Sequence, residues 1–115
     1  MIPILSIPYE YRHLPIGGGG YVTGFQFHPS DPRVMYCRTD IGGVYRFDYD
    51  RQQWVSLIDH VSLEDLRETC PISLALDPTN PRRLYIVSGL WDPGRNALLT
   101  ISDDYGETFR QVELP

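Results

Sequence analysis

"GFQFHPSDPRVMY", residues 24–36, and "SLALDPTNPRRLY", residues 73–85, are two copies of one pattern. Each opens on a short apolar stretch. Then follow His or Asp, Pro, Ser or Thr, Asp or Asn, Pro-Arg, one variable position, an apolar residue and Tyr. His28 and Asp77 occupy equivalent places, so the offset is 77 − 28 = 49 residues. A period of about 40–50 residues with strand and turn content points to β-propeller blades, at about four strands each.

Alternation and turn signals place the strands around this repeat. In the first unit they are expected at 21–27, 34–40, 43–48 and 53–58. Between the first two, "PSDP" (29–32) is a turn, where Pro presets φ and Asp bonds its own backbone. Gly42-Gly43 turns the chain into the third strand. In the second unit the strands are expected at 71–77, 83–89, 97–102 and 108–114. The segment "SLEDLRET" (62–69) carries one turn's worth of helical pattern and reads as a short helix or a loop between blades. The organisation expected is an N-terminal segment over 1–13, a first blade over 14–60 and a second over 61–115. The fold class is all-β: two four-stranded antiparallel propeller blades.

The second unit ends in "SDDYGETF", residues 102–109, an Asp-box of the form Ser-x-Asp-x-Gly-x-x-aromatic. Ser102, Asp104, Gly106 and Phe109 carry it. Asp104 accepts from turn amides, Gly106 supplies a positive φ, and Phe109 plugs the sheet. These residues are structural, not catalytic. The matching place in the first unit, "FDYDRQQW" (47–54), keeps Asp50 and Trp54 but lacks the Ser and the Gly, so it reads as a degenerate box.

Composition narrows the function. The 115 residues are 42% hydrophobic, enough for a folded domain with a modest core. The net charge is −5, and no basic run exceeds Arg82-Arg83, which argues against nucleic acid. No stretch approaches the roughly 20 apolar residues of a membrane span. Pro3 and Pro8 interrupt the opening "MIPILSIPYEYRH", which has no basic n-region and makes a poor signal peptide. Localisation stays open between an intracellular protein and a secreted one whose leader has been removed. Cys37 and Cys70 lack metal-ligand spacing. A buried free thiol is the first reading for Cys37 and a disulfide the second. His28 and His60 have no accompanying ligand, so neither a metal nor any other cofactor is expected. Gly17 to Gly20 have the composition of a phosphate-cradling loop, but no Lys-Ser/Thr and no helix follows. A loop near a binding cleft or a domain interface fits them better.

Two blades do not close a propeller, which needs about four to eight. An open pair would leave bare strand edges. The chain is therefore expected to be the N-terminal piece of a longer protein, partnered by that protein's remaining blades, or else to assemble with copies of itself.

With the repeat in hand, "IGGGGYVTGFQFHPSDPRVMYCRTDIGGVYRFD" (16–48) resembles the N-terminal blade of glycoside hydrolase family 74, the xyloglucanases and related oligoxyloglucan-processing enzymes. "SLALDPTNPRRLYI" (73–86) and the Asp-box extend the likeness over nearly all of 14–115. The Gly-Gly-Gly-Gly-Tyr-Val-Thr-Gly and Arg-Thr-Asp-x-Gly-Gly segments are its most specific parts. The resemblance implies two seven-bladed propellers with a glucan cleft between them. It also implies inverting hydrolysis of β-1,4-glucan backbones bearing xylose, using two aspartates. The N-terminal one, in Arg-Thr-Asp-x-Gly-Gly, is Asp40 here, the implied general base; its acid partner lies outside these residues.

The chemistry suits such a position. An inverting glycosidase needs one carboxylate to deprotonate water and a second, about 6.5–9.5 Å away, to protonate the leaving oxygen. Cations or turn amides near such a base favour its ionised form. Arg38, two residues before Asp40, is expected on the same strand face. Gly42 and Gly43 leave room for a sugar beside the backbone. Tyr21, Tyr45, Trp54 and Trp91 are candidates to stack on sugar faces. Tyr45 and Trp54 read as core residues, whereas Trp91 sits in the loop "GLWDPGRN" (89–96) beside Asp92, which could bond hydroxyls. The substrate-binding set is therefore Arg38, Gly42, Gly43, Tyr21, Trp91 and Asp92. The alternative is a non-catalytic Asp-box propeller that binds carbohydrate or protein.

Overall fold

The computed structural model describes residues 8–12, 20–59, 69–89 and 94–115. The described residues form two four-stranded antiparallel sheets. The first has β1 (Val22–Phe27), β2 (Met35–Thr39), β3 (Val44–Asp48) and β4 (Gln53–Ser56), in that spatial order. The second has β5 (Pro71–Leu76), β6 (Leu84–Ser88), β7 (Leu98–Ser102) and β8 (Arg110–Glu113), again in sequence order. All eight expected strands form, with ends trimmed by local side-chain chemistry. β4 stops at Ser56, whose hydroxyl accepts from the Ile58 amide. β8 starts at Arg110 because Thr108 is still tied to Asp104. The helical pattern expected over 62–69 falls outside the described residues apart from Thr69.

The Pro turns of the repeat are closed by two different side chains. At Asp77, Oδ1 accepts from the Thr79 amide at 2.9 Å and the Thr79 hydroxyl at 2.8 Å. At His28, ring Nδ1 takes that place and accepts from the amides of Ser30 and Asp31, at 3.1 and 3.2 Å. An Nδ1 that accepts leaves the proton on Nε2, which donates to the Asp77 carbonyl at 2.9 Å. One imidazole thus caps its own turn and ties it to the equivalent turn of the next sheet.

Alternation along the strands sorts the apolar residues into two clusters. Val34, Tyr36, Val44 and Leu57 of the first unit pack with Leu74, Leu84 and Ile86 of the second, forming the core between the sheets. Tyr36, Val44 and Leu84 are fully buried there. The next residues along, Cys37 and Tyr45, point the other way and join Trp54 in a second cluster, with the Phe25 ring 5.9 Å and the Phe47 ring 5.2 Å from the indole. Both cysteines are free and buried. Burial pushes the Cys37 thiol up to about 11.

The Asp-box is a closed knot of short bonds. The Ser102 hydroxyl donates to Asp104 Oδ1 at 2.8 Å and accepts from the Gly106 amide at 2.8 Å. The Thr108 amide donates to Asp104 Oδ1 at 2.8 Å, and its hydroxyl to Oδ2 at 2.5 Å. Tyr105 and Gly106 have positive φ, 60° and 84°. Phe109 is half-buried against the inter-sheet core. Bonds from the Thr108 hydroxyl and amide hold the Asp104 carboxyl down at about 2.

The matching turn of the first sheet is built otherwise. Asp48 Oδ1 accepts from the amides of Asp50 and Arg51, and Gln52 takes the positive φ, 53°. Asp50, the carboxylate expected to carry the degenerate box, instead pairs with Arg33 at 2.7 Å.

Candidate functional site

The turn that joins β2 to β3 carries the Arg-Thr-Asp-x-Gly-Gly motif. β2 ends at Thr39, so Asp40 is the first residue of the turn, and its side chain is exposed. β2 thus stops one residue short of Asp40, and among the described residues no ion pair joins Asp40 to Arg38. The Arg38 guanidinium lies instead across β1, where Nη1 donates to Thr23 Oγ1 at 2.8 Å and Nε would be 3.3 Å from a Cβ at Gly24. Arg38 and Gly24 are directly paired, and a bulge between Val22 and Gly24 shifts the register at this point. Such bulges re-aim neighbouring side chains.

Backbone amides hold Asp40. Its Oδ1 accepts from the Tyr21 amide at 2.7 Å and the Ile41 amide at 2.8 Å. Its own amide donates to the Tyr21 carbonyl at 2.9 Å. Oδ2 accepts no hydrogen bond among the described residues. The carboxylate is thus fixed at one oxygen and open at the other. Tyr21, linked to Asp40 by both backbone groups, is itself 75% exposed.

The two turn glycines differ. The Gly42 amide donates to Thr39 Oγ1 at 2.8 Å, and Gly42 forms part of the wall of an open depression of about 490 Å³ that also includes Tyr45, Arg51, Trp54 and Asp59. Gly43 has φ +82° and is buried, and a Cβ there would overlap Ile58 Cδ1. The space beside Gly43 is thus filled by Ile58 and not open to a sugar, a correction to the expected role. Its amide donates to the Thr69 carbonyl at 2.9 Å and so joins the turn to the segment that leads into β5.

The structure therefore brings Asp40, Tyr21 and Gly42 together at one end of the first sheet. Tyr45 and Trp54 are each only 6% exposed and belong to the core. Trp91, Asp92, His60 and Gly17 to Gly19 lie outside the described residues. Ser102, Asp104, Gly106 and Phe109 form the hairpin knot of the second sheet. Two residues with a direct bearing on Asp40 carried no signal in the strand pattern. Thr39 is 1% exposed, and its hydroxyl donates to the Gly43 carbonyl at 2.9 Å. Gly20 sits over the turn with φ +105°. Its place at the end of a glycine run hid its individual role.

No family model matches the chain. Relatives are nonetheless clear. The chain is 41% identical over 107 residues to the oligoxyloglucan-reducing end-specific xyloglucanase of Emericella nidulans, covering 93% of this chain and 13% of that protein. It is 38% identical over 117 residues to the xyloglucanase Xgh74A of Acetivibrio thermocellus, covering 97% of this chain and 14% of that one. The crystal structure of the GH74 xyloglucanase from Xanthomonas campestris matches with a TM-score of 0.80 at 39% identity, over 94% of this chain and 16% of that chain. The chain thus spans about one-seventh of the length of its relatives. Sequence and fold agree: these two propeller-blade sheets are homologous to a segment of the GH74 xyloglucanases.

Proposed function

We propose that the chain forms the first two blades of a longer inverting glycoside hydrolase acting on the β-1,4-glucan backbone of xyloglucan-type polysaccharide, with Asp40 as its general base. The observation that carries the proposal is the state of the Asp40 carboxylate. Amides of Tyr21 and Ile41 hold Oδ1, while Oδ2 accepts no hydrogen bond among the described residues and the side chain is exposed. A base that must take a proton from water needs this combination: a fixed carboxylate plane and one unengaged oxygen facing solvent. The names of the relatives supply the substrate class.

In this reading a water between Oδ2 and the anomeric carbon loses a proton to Asp40 as it attacks from the face opposite the leaving group. A second carboxyl, about 6.5–9.5 Å away, protonates the departing oxygen. That acid belongs to a part of the enzyme beyond this chain. The isolated 115 residues then lack acid assistance and hydrolyse nothing. Tyr21, exposed and bonded to Asp40 through its backbone, is a candidate to stack on a sugar ring, and Trp91 and Asp92 are candidates for further contacts.

The test is reducing-sugar release from xyloglucan, mixed-linkage β-glucan and cellulose by the full-length enzyme and by its Asp40→Ala variant. Release from xyloglucan that collapses in the variant, with the fold intact by circular dichroism, is the expected result. Absence of release from all three glucans would favour a non-catalytic carbohydrate-binding propeller.

A further inference from the structure

We infer that Thr39 and Gly20 are positioning residues for Asp40: the buried Thr39 hydroxyl staples the turn that presents the carboxylate, and the bare Cα of Gly20 lets the chain close over its fixed oxygen. The inference rests on reading Asp40 as the base.

The staple is complete in itself. Thr39 uses its hydroxyl twice inside five residues, donating to the Gly43 carbonyl at 2.9 Å and accepting from the Gly42 amide at 2.8 Å. Its own amide donates to the same Gly43 carbonyl at 3.0 Å. These bonds define the path of residues 40–42. They thereby fix where the Ile41 amide points, and that amide is one of the two donors on Asp40 Oδ1. At 1% exposure Thr39 has no water to replace a lost bond. A valine there would keep the shape, leave the Gly42 amide without its acceptor, and leave the Gly43 carbonyl with the residue-39 amide alone.

Gly20 acts from the other side. A Cβ built on it would lie 3.0 Å from Asp40 Oδ1, 3.2 Å from the Gly42 amide nitrogen and 3.2 Å from Thr39 Cβ. Two of these neighbours are parts of the staple and the third is the carboxylate, so a side chain there would have to displace one of them. Its φ of +105° also disfavours any L-residue. The next residue, Tyr21, supplies the second donor to Oδ1. A carboxylate held at one oxygen by two amides and covered by a glycine has its other oxygen aimed in one direction. Displacing a catalytic group by about 1 Å can cost about 10²-fold in rate.

The experiment measures kcat and KM on xyloglucan oligosaccharides for the full-length enzyme and for Thr39→Val, Thr39→Ser, Gly20→Ala and Asp40→Ala, each well below its own unfolding temperature. Thr39→Val and Gly20→Ala are expected to lower kcat roughly 10–100-fold with KM within about twofold, because substrate contacts are untouched. Thr39→Ser keeps the hydroxyl and should stay within about threefold of wild type. A merely structural role would lower the unfolding temperature without this split. Gly20→Ala and Thr39→Ser decide the matter if Thr39→Val does not fold. Wild-type kcat in Thr39→Val and Gly20→Ala, beside an inactive Asp40→Ala, would overturn the inference and leave the base assignment standing. Activity surviving in Asp40→Ala would remove the base assignment and this inference with it.

Discussion

At position 28 the first repeat has histidine where the second has aspartate, and both cap the same kind of turn. The imidazole does one thing more, since its second nitrogen reaches the Asp77 carbonyl of the neighbouring sheet. His28→Asp should keep the turn and lose only that bond, at a cost of about 1 kcal/mol, whereas His28→Ala loses both and should cost about 2–3 kcal/mol. Urea unfolding of the two variants checks the order. Equal losses would mean that the side-chain cap of the turn contributes nothing. The turn itself was legible in sequence because His-Pro and Asp-Pro stand at matching repeat positions. The inter-sheet bond was not, because nothing local says that the two turns stack. The same holds at Asp40. The motif pointed to the residue, but the donor from Tyr21 and the cover from Gly20 come from positions 19 and 20 residues earlier, brought beside it by the pairing of β1 with β2. Arg38 donates to Thr23 across β1, a contact that the two-residue spacing from Asp40 did not announce.

Among the elements, strands were the most legible part, because period-2 alternation and Gly or Pro turns mark both limits. The hairpin after β3 was less so. The position of Asp50 in the pattern suggested a degenerate Asp-box, yet Asp48 carries the turn and Asp50 is drawn off by Arg33. In the intact box, Asp104 has its carboxyl held at about 2, below its unfolded value near 3.8, by the Thr108 hydroxyl and amide. A depressed carboxyl contributes stability that is fully present above the unfolded value and is lost as pH falls through the folded one. The stability gap between wild type and Asp104→Asn should therefore be constant above about pH 5 and narrow between about pH 4 and pH 2. Denaturant titrations at several pH values measure it, and a gap that widens toward acid would contradict the assignment. Gly106→Ala should destabilise by about 1–3 kcal/mol, because the backbone is at φ +84° and the new methyl would lie 2.8 Å from Leu57 Cδ1.

At the scale of the whole molecule, the two sheets are joined by an apolar core with a few polar links at its margins. Arg46 of β3 donates to the Tyr105 carbonyl at 2.6 Å and to Glu107 at 3.0 Å, so the Asp-box knot of one sheet is clamped by the other. Under the knot, Ser88 and Thr100 are buried, line one small cavity with Leu57, Ile86 and Phe109, and find no hydrogen-bond partner among the described residues. Thr100→Val combined with Ser88→Ala should be neutral or stabilising by up to about 1 kcal/mol, since two unpaired hydroxyls leave the core together. A loss above about 2 kcal/mol by calorimetry would show that both hydroxyls are satisfied. The first sheet ends in one exposed carboxylate, Asp40, and the central proposal is that this carboxylate activates water. The most direct measurement is chemical rescue: full-length Asp40→Gly assayed on xyloglucan oligosaccharide with and without sodium azide, with product configuration read by proton NMR. The account predicts a loss of roughly 10²–10⁴-fold, partial recovery with azide, and a glycosyl azide of inverted, α configuration. Activity within tenfold of wild type without azide, or an azide product that retains the β configuration, would contradict it.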